Sequence, residues 1–88
     1  MLFRSEEYEQ AKRYYSKAVE KLKEADANIE LGMALTDLGR ICDMLGEFQD
    51  AISSLQKSLE ISLENGDKHE EVLNRRFLGD AQDRKSVV

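Results

Sequence analysis

The chain has 88 residues, 35% charged and 41% hydrophobic, with a formal net charge of −5, no proline, one histidine and one cysteine. So short a chain supports one domain with a thin core, and a negative balance without a basic stripe argues against nucleic acid or an anionic membrane as a partner. One cysteine excludes an internal disulfide, no apolar run reaches transmembrane length, and Met1-Leu2-Phe3-Arg4 is too short for a signal peptide, so the expected setting is the cytoplasm.

Apolar residues at helical spacing predict four helices in chain order. The first runs from about Glu6 to Ala25, with Ser5 as N-cap and Tyr8, Ala11, Tyr15, Ala18, Val19 and Leu22 facing inward. Asp26-Ala27-Asn28 is a bend. The second helix, about Ile29 to Leu45, carries Leu31, Ala34, Leu35, Leu38, Ile41 and Cys42 on one stripe. Gly46-Glu47 interrupts the pattern, and a new stripe of Phe48, Ala51, Ile52, Leu55 and Leu59 marks a third helix to about Glu64. So short a turn forces the second and third helices into an antiparallel hairpin. Gly39 sits mid-helix, where glycine costs roughly 1 kcal/mol against alanine; a close approach to Ala51 gives it a packing reason. Asn65-Gly66-Asp67 is a strong stop. The fourth helix, about His69 to Lys85, has the weakest stripe: Val72, Leu78 and Ala81, with Leu73 or Phe77, and Arg75 where the second helix has Leu35.

The chain is internally repetitive. Sliding it by 40 positions superposes residues 7–43 on 47–83 with nine identities, among them Ala11/Ala51, Lys17/Lys57, Leu38/Leu78, Gly39/Gly79 and Asp43/Asp83. Composition alone gives roughly three over such a window.

Leu38-Gly39, Leu45-Gly46-Glu47-Phe48, Ala51, Leu55 and Leu59 form a pattern that resembles the tetratricopeptide repeat. The 40-residue period and a helix ending in Glu64-Asn65-Gly66-Asp67 resemble its extended variety, found in kinesin light chains and spindle-orientation polarity adaptors. The resemblance implies an all-α fold of antiparallel hairpins in an α-solenoid. It divides the chain into a partial array: the second helix of one repeat (1–26), a complete repeat (27–66) and the first helix of a third (67–88). Cys42 stands where the family usually has an aromatic. Asp37 and Phe77 stand where the extended type often has asparagine, and the Lys and Asn of a carboxylate clamp are not present. In the 40-residue frame Met1 to Phe3 end a preceding helix, with Leu2 inward, and Ser86 to Val88 lead into a following one. The expectation is a piece of a longer array whose uncovered end helices leave the isolated chain loosely folded or self-associated.

Chemistry is sparse. His69 lies among Asp67, Glu70 and Glu71 at a helix start, without the further histidine or cysteine a metal site needs. Cys42 falls on an apolar stripe without a histidine partner, the pattern of an inert core thiol. No metal, cofactor or catalytic residue is expected. Lys85-Ser86-Val87-Val88 has the form of a short strand that could add to a sheet edge, a pattern common by chance.

What remains is surface. The resemblance implies a partner peptide lying along the face formed by the second and fourth helices. On it stand Met33, Thr36, Asp37, Arg40, Asp43 and Met44 from one, and Leu73, Arg76, Phe77, Asp80, Asp83 and Arg84 from the other. Of these, Thr36, Arg40, Asp43, Met44, Arg76, Phe77 and Asp80 are the candidate peptide-binding residues. Arg40, Arg76 and Arg84 could grip a ligand's carboxylates bidentately, or pair with Asp43, Asp80 and Asp83 across the groove. The expected function is a protein-binding scaffold or adaptor module. A purely structural, self-associating segment and a regulatory module sensing a small ligand remain as alternatives.

Overall fold

The computed structural model describes residues 2–87, with side chains from residue 5 onward. Four helices follow one another: α1 (Leu2–Glu24), α2 (Asn28–Met44), α3 (Phe48–Asn65) and α4 (Lys68–Val87). No strand occurs among the described residues. α2 packs most extensively on α3, then α3 on α4 and α1 on α2, so each helix lies mainly against its neighbours in sequence and the stack is an open run of hairpins rather than a closed bundle.

The three turns close by the same bond pattern. Ala27 N–H donates to the Leu22 carbonyl, Glu47 N–H to that of Cys42 and Asp67 N–H to that of Ser62, each spanning the left-handed residue that ends a helix. Glycine supplies that conformation at Gly46 (φ 79°) and Gly66 (φ 68°), while Asp26 adopts it at φ 59°. Asp is among the few residues that tolerate the strain.

Two apolar clusters result. Val19, Leu31, Ala34, Leu35 and Ile61 join α1, α2 and α3. Cys42, Ala51, Ile52, Leu55, Leu78 and Ala81 join α2, α3 and α4, with Leu38, Leu59 and Phe77 packed against them. Leu55 and Ala51 are 0% exposed; burying a leucine completely stabilises by about 1.5–3 kcal/mol. Gly39 faces this cluster. A methyl placed there would lie 2.6 Å from Leu55 Cγ and 3.2 Å from the Ala51 carbonyl oxygen, so the close approach expected of Gly39 and Ala51 is present.

Four sequence expectations are corrected. Ser5 is not an N-cap: α1 begins at Leu2 and runs through Ser5, because no glycine or proline breaks the leading residues. Leu2 and Phe3 therefore belong to α1 rather than to a separate preceding helix; Met1 and the side chain of Leu2 lie outside the described residues. Ser86 and Val87 continue α4 instead of forming a turn or an extended tail, and Val88 lies outside the described residues. Val72 is 65% exposed rather than inward. Its counterpart 40 positions earlier, Gly32, is buried against Ser58 and Ile61 of α3, whereas among the described residues no helix covers that side of α4.

Cys42 is 2% exposed, and burial pushes its thiol up to about 11 despite the opposing pull of Lys12. Because the folded value exceeds the ordinary 9.0, the stability linked to this group is present below pH 9.0 and lost as pH rises through about 11. The folded chain should therefore react with a chromogenic disulfide reagent at pH 8 no faster than it unfolds, and at once in denaturant. Rapid reaction without denaturant would show that the cluster opens locally.

Candidate functional site

α2 and α4 lie side by side across α3, and the spacing of their residues sets out a groove. From α2 it takes Met33, Thr36, Asp37 and Arg40, and from α4 Glu70, Leu73 and Phe77. Further along, Asp43, Met44, Asp80 and Arg84 continue it over Leu55 of α3. A second depression between α1 and α2 is lined by Tyr8, Tyr15, Asp37 and Ile41, with Arg40 and Met44 on the ridge that the two share.

The expected binding residues thus gather, with one exception. Thr36, Arg40, Asp43, Met44, Phe77 and Asp80 line one groove, while Arg76 is exposed and stands outside that set. Their roles differ. The Arg40 guanidinium stacks 4.8 Å from the centre of the Phe77 ring, a cation–π contact that holds both side chains at the groove wall. Arg84 pairs with Asp43 across the groove. Met33 and Met44 are 52% and 56% exposed, flexible apolar side chains on an otherwise charged surface. Burial raises the Asp37 carboxyl above its ordinary value, and Arg40 opposes that rise.

Thr36 is at the floor of the groove, and its hydroxyl turns into the protein. Its Oγ1 lies 2.7 Å from Ser58 Oγ and 2.7 Å from Asn74 Oδ1. Asn74 Nδ2 donates to Ser58 Oγ at 3.0 Å, and Ser58 Oγ lies 2.6 Å from the Gly32 carbonyl oxygen. Each hydroxyl has a single proton. With Asn74 donating to Ser58 and Thr36 donating to Asn74, the Ser58 proton is shared between Thr36 and the Gly32 carbonyl. Asn74 is 0% exposed and Ser58 1% exposed, so this ring fixes the register of α2, α3 and α4 directly beneath the groove.

Sequence reasoning missed Ser58 and Asn74. The signal was present: Ser58 follows Leu55 by three on the α3 stripe, and Asn74 precedes Leu78 by four on that of α4. A polar residue on an apolar stripe announces a buried hydrogen-bond partner elsewhere. On the far side, Lys12 of α1 pairs with Glu47 at 2.5 Å, and that bond raises the Lys12 pKa. It ties α1 to the α2–α3 turn.

A stack of antiparallel hairpins offering a groove between alternate helices defines an α-solenoid of the repeat class. A sequence profile described as tetratricopeptide repeat matches residues 1–64, and the chain belongs to the tetratricopeptide repeat family. Comparisons with curated proteins and with solved structures return no match. Tetratricopeptide repeats usually mediate protein–protein interaction and are typically non-catalytic. Among the described residues no helix is long and apolar enough to cross a membrane.

Proposed function

We propose that the chain is an adaptor module that holds a peptide segment of a partner protein in the groove between α2 and α4. The observation that carries this reading is the row of Met33, Leu73 and Phe77 along one groove over the Thr36–Ser58–Asn74 ring. Adaptable apolar side chains on a rigid polar floor suit an extended ligand, because little ordering is left to be done on binding. The 40-residue period supports the extended repeat type and the division at 1–26, 27–66 and 67–88. A cytoplasmic setting agrees with the composition, and no nucleic acid, membrane, metal or cofactor enters the proposal.

Titration against a peptide library tests it. Saturable binding is expected, and Met33→Glu or Leu73→Glu should weaken it at least tenfold, about 1.4 kcal/mol, with helicity unchanged. Absence of saturable binding by every peptide would favour the structural reading. Self-association through α1 and α4 is that rival. On the outer face of α4, Arg75 and Gln82 stand exposed where α2 buries Leu35 and Cys42, and Arg75 pairs with Glu71, so that face is more polar than its α2 counterpart.

A further inference from the structure

We infer that the groove selects a cationic segment: a partner peptide that sets a lysine or arginine side chain on Asp43 and Asp80 and an apolar side chain against Phe77. The inference rests on the groove reading above and names the chemistry of its ligand.

Asp43 is the centre of the argument. Its side chain is only 10% exposed, and Arg84 engages Oδ2. Oδ1 is buried and has no hydrogen-bond partner among the described residues. A carboxylate has about four acceptor positions, so most of its capacity is unused. The Asp χ2 torsion is broad and roughly two-fold, so a modest rotation presents the free oxygen without breaking the helix. The pocket that Asp43 lines has a volume of about 90 Å³ and is shared with Met44, Phe77 and Asp80, room for the end of one long side chain. A lysine or arginine stem would lie along Met44 and Phe77 with its charged head at the two carboxylates.

The charge balance of the groove points the same way. Asp37, Asp43, Glu70 and Asp80 line it against Arg40 and Arg84. Arg84 is already spent on Asp43, and Arg40 lies on the Phe77 ring. An acidic ligand would meet carboxylates left without counter-charge, whereas a basic one would neutralise them. The net charge of −5 steers a cation toward the chain at a distance. The rival arrangement, in which Arg40, Arg76 and Arg84 receive a ligand's carboxylates, requires the Asp43–Arg84 pair to separate first.

Three matched fluorescein-labelled peptide libraries decide it, titrated into the full chain at low and at physiological salt. All share the same apolar positions; the charged positions carry Lys and Arg, or Asp and Glu, or Gln. The basic set should bind at least tenfold tighter than the Gln set and weaken as salt rises. Asp43→Asn and Asp80→Asn should each reduce that preference severalfold. Asp80 is exposed, so its variant serves even where Asp43→Asn fails to fold. Equal binding of the basic and Gln sets, or tighter binding of the acidic set, would overturn the cationic inference and leave the groove standing. No saturable binding by any set would remove both.

Discussion

Gly79→Ala should raise the thermal midpoint and Gly39→Ala should lower it, although both glycines follow a leucine at the same place in the 40-residue repeat. Alanine in a helix interior is favoured over glycine by about 0.5–1 kcal/mol, because glycine loses more backbone freedom on folding. At Gly79 a methyl meets nothing within 4 Å, so that gain is realised in full. In a domain of this size it corresponds to a rise of roughly 2–8 °C. At Gly39 the same methyl would lie 2.6 Å from Leu55 Cγ and 2.9 Å from Leu55 Cδ2. Leu55 is 0% exposed and clamped in the cluster with Cys42 and Ala51, so its side chain has no free direction in which to retreat. Overpacking costs typically about 1–3 kcal/mol, which outweighs the propensity gain. Gly39→Leu should exceed that range and unfold a chain whose total stability is of the order of 5 kcal/mol. Circular dichroism melts of the three variants beside the parent read the result. Shifts of the same sign at the two glycines would mean that α2 and α3 do not meet at Gly39.

That pair of glycines also shows what the sequence made legible. The hairpin of α2 and α3 could be read from two apolar stripes separated by Gly46, because the turn and the 3.6-residue period are local properties. The meaning of Gly39 followed from its place mid-helix. Its repeat mate Gly79 carries the same letters and opposite energetics, since what a residue touches depends on the next helix in space. The same limit produced the error at Val72, placed inward by a period that is correct for Gly32 but has no covering helix on α4. The start of α1 was misjudged because a serine makes an N-cap only where the backbone leaves the helix, and nothing before Ser5 forces it to. In the groove, the gathering of Arg40, Asp43, Phe77 and Asp80 is what the resemblance to the tetratricopeptide repeat implies. The choice of Asp43 as partner for Arg84, and of Phe77 for Arg40, depends on rotamers and cross-helix register that no period encodes. Thr36 lines the groove, but its hydroxyl direction is set by Ser58 and Asn74.

Asn74→Asp should be the most damaging isosteric change in the molecule, and its damage should disappear in acid. Asn74 is 0% exposed, and its two side-chain atoms serve opposite roles: Oδ1 takes the Thr36 hydroxyl, while Nδ2 donates to Ser58. A protonated aspartic acid reproduces both, with an O–H in place of the amide N–H. An ionised one does not: it cannot donate to Ser58, and it places a charge in a site closed to water. Glu70 adds to the penalty, for its Oε1 lies 3.3 Å from Thr36 Oγ1 at the same ring, and among the described residues no cationic side chain hydrogen-bonds within it. Burying an unpaired charge costs several kcal/mol, so the folded carboxyl holds its proton well above the ordinary aspartate range. The sign follows. With the folded pKa raised above the unfolded value of about 3.9, the variant equals the parent below that pH. It loses ground as pH rises toward the folded value, then stays at a constant deficit. Denaturant unfolding of parent and variant, compared pair by pair from pH 3.5 to 8, isolates this difference from the acid sensitivity they share. The expected deficit at neutral pH is several kcal/mol, enough to leave the variant largely unfolded. A small deficit independent of pH would mean that water reaches Asn74, and that the polar ring beneath the groove is not closed.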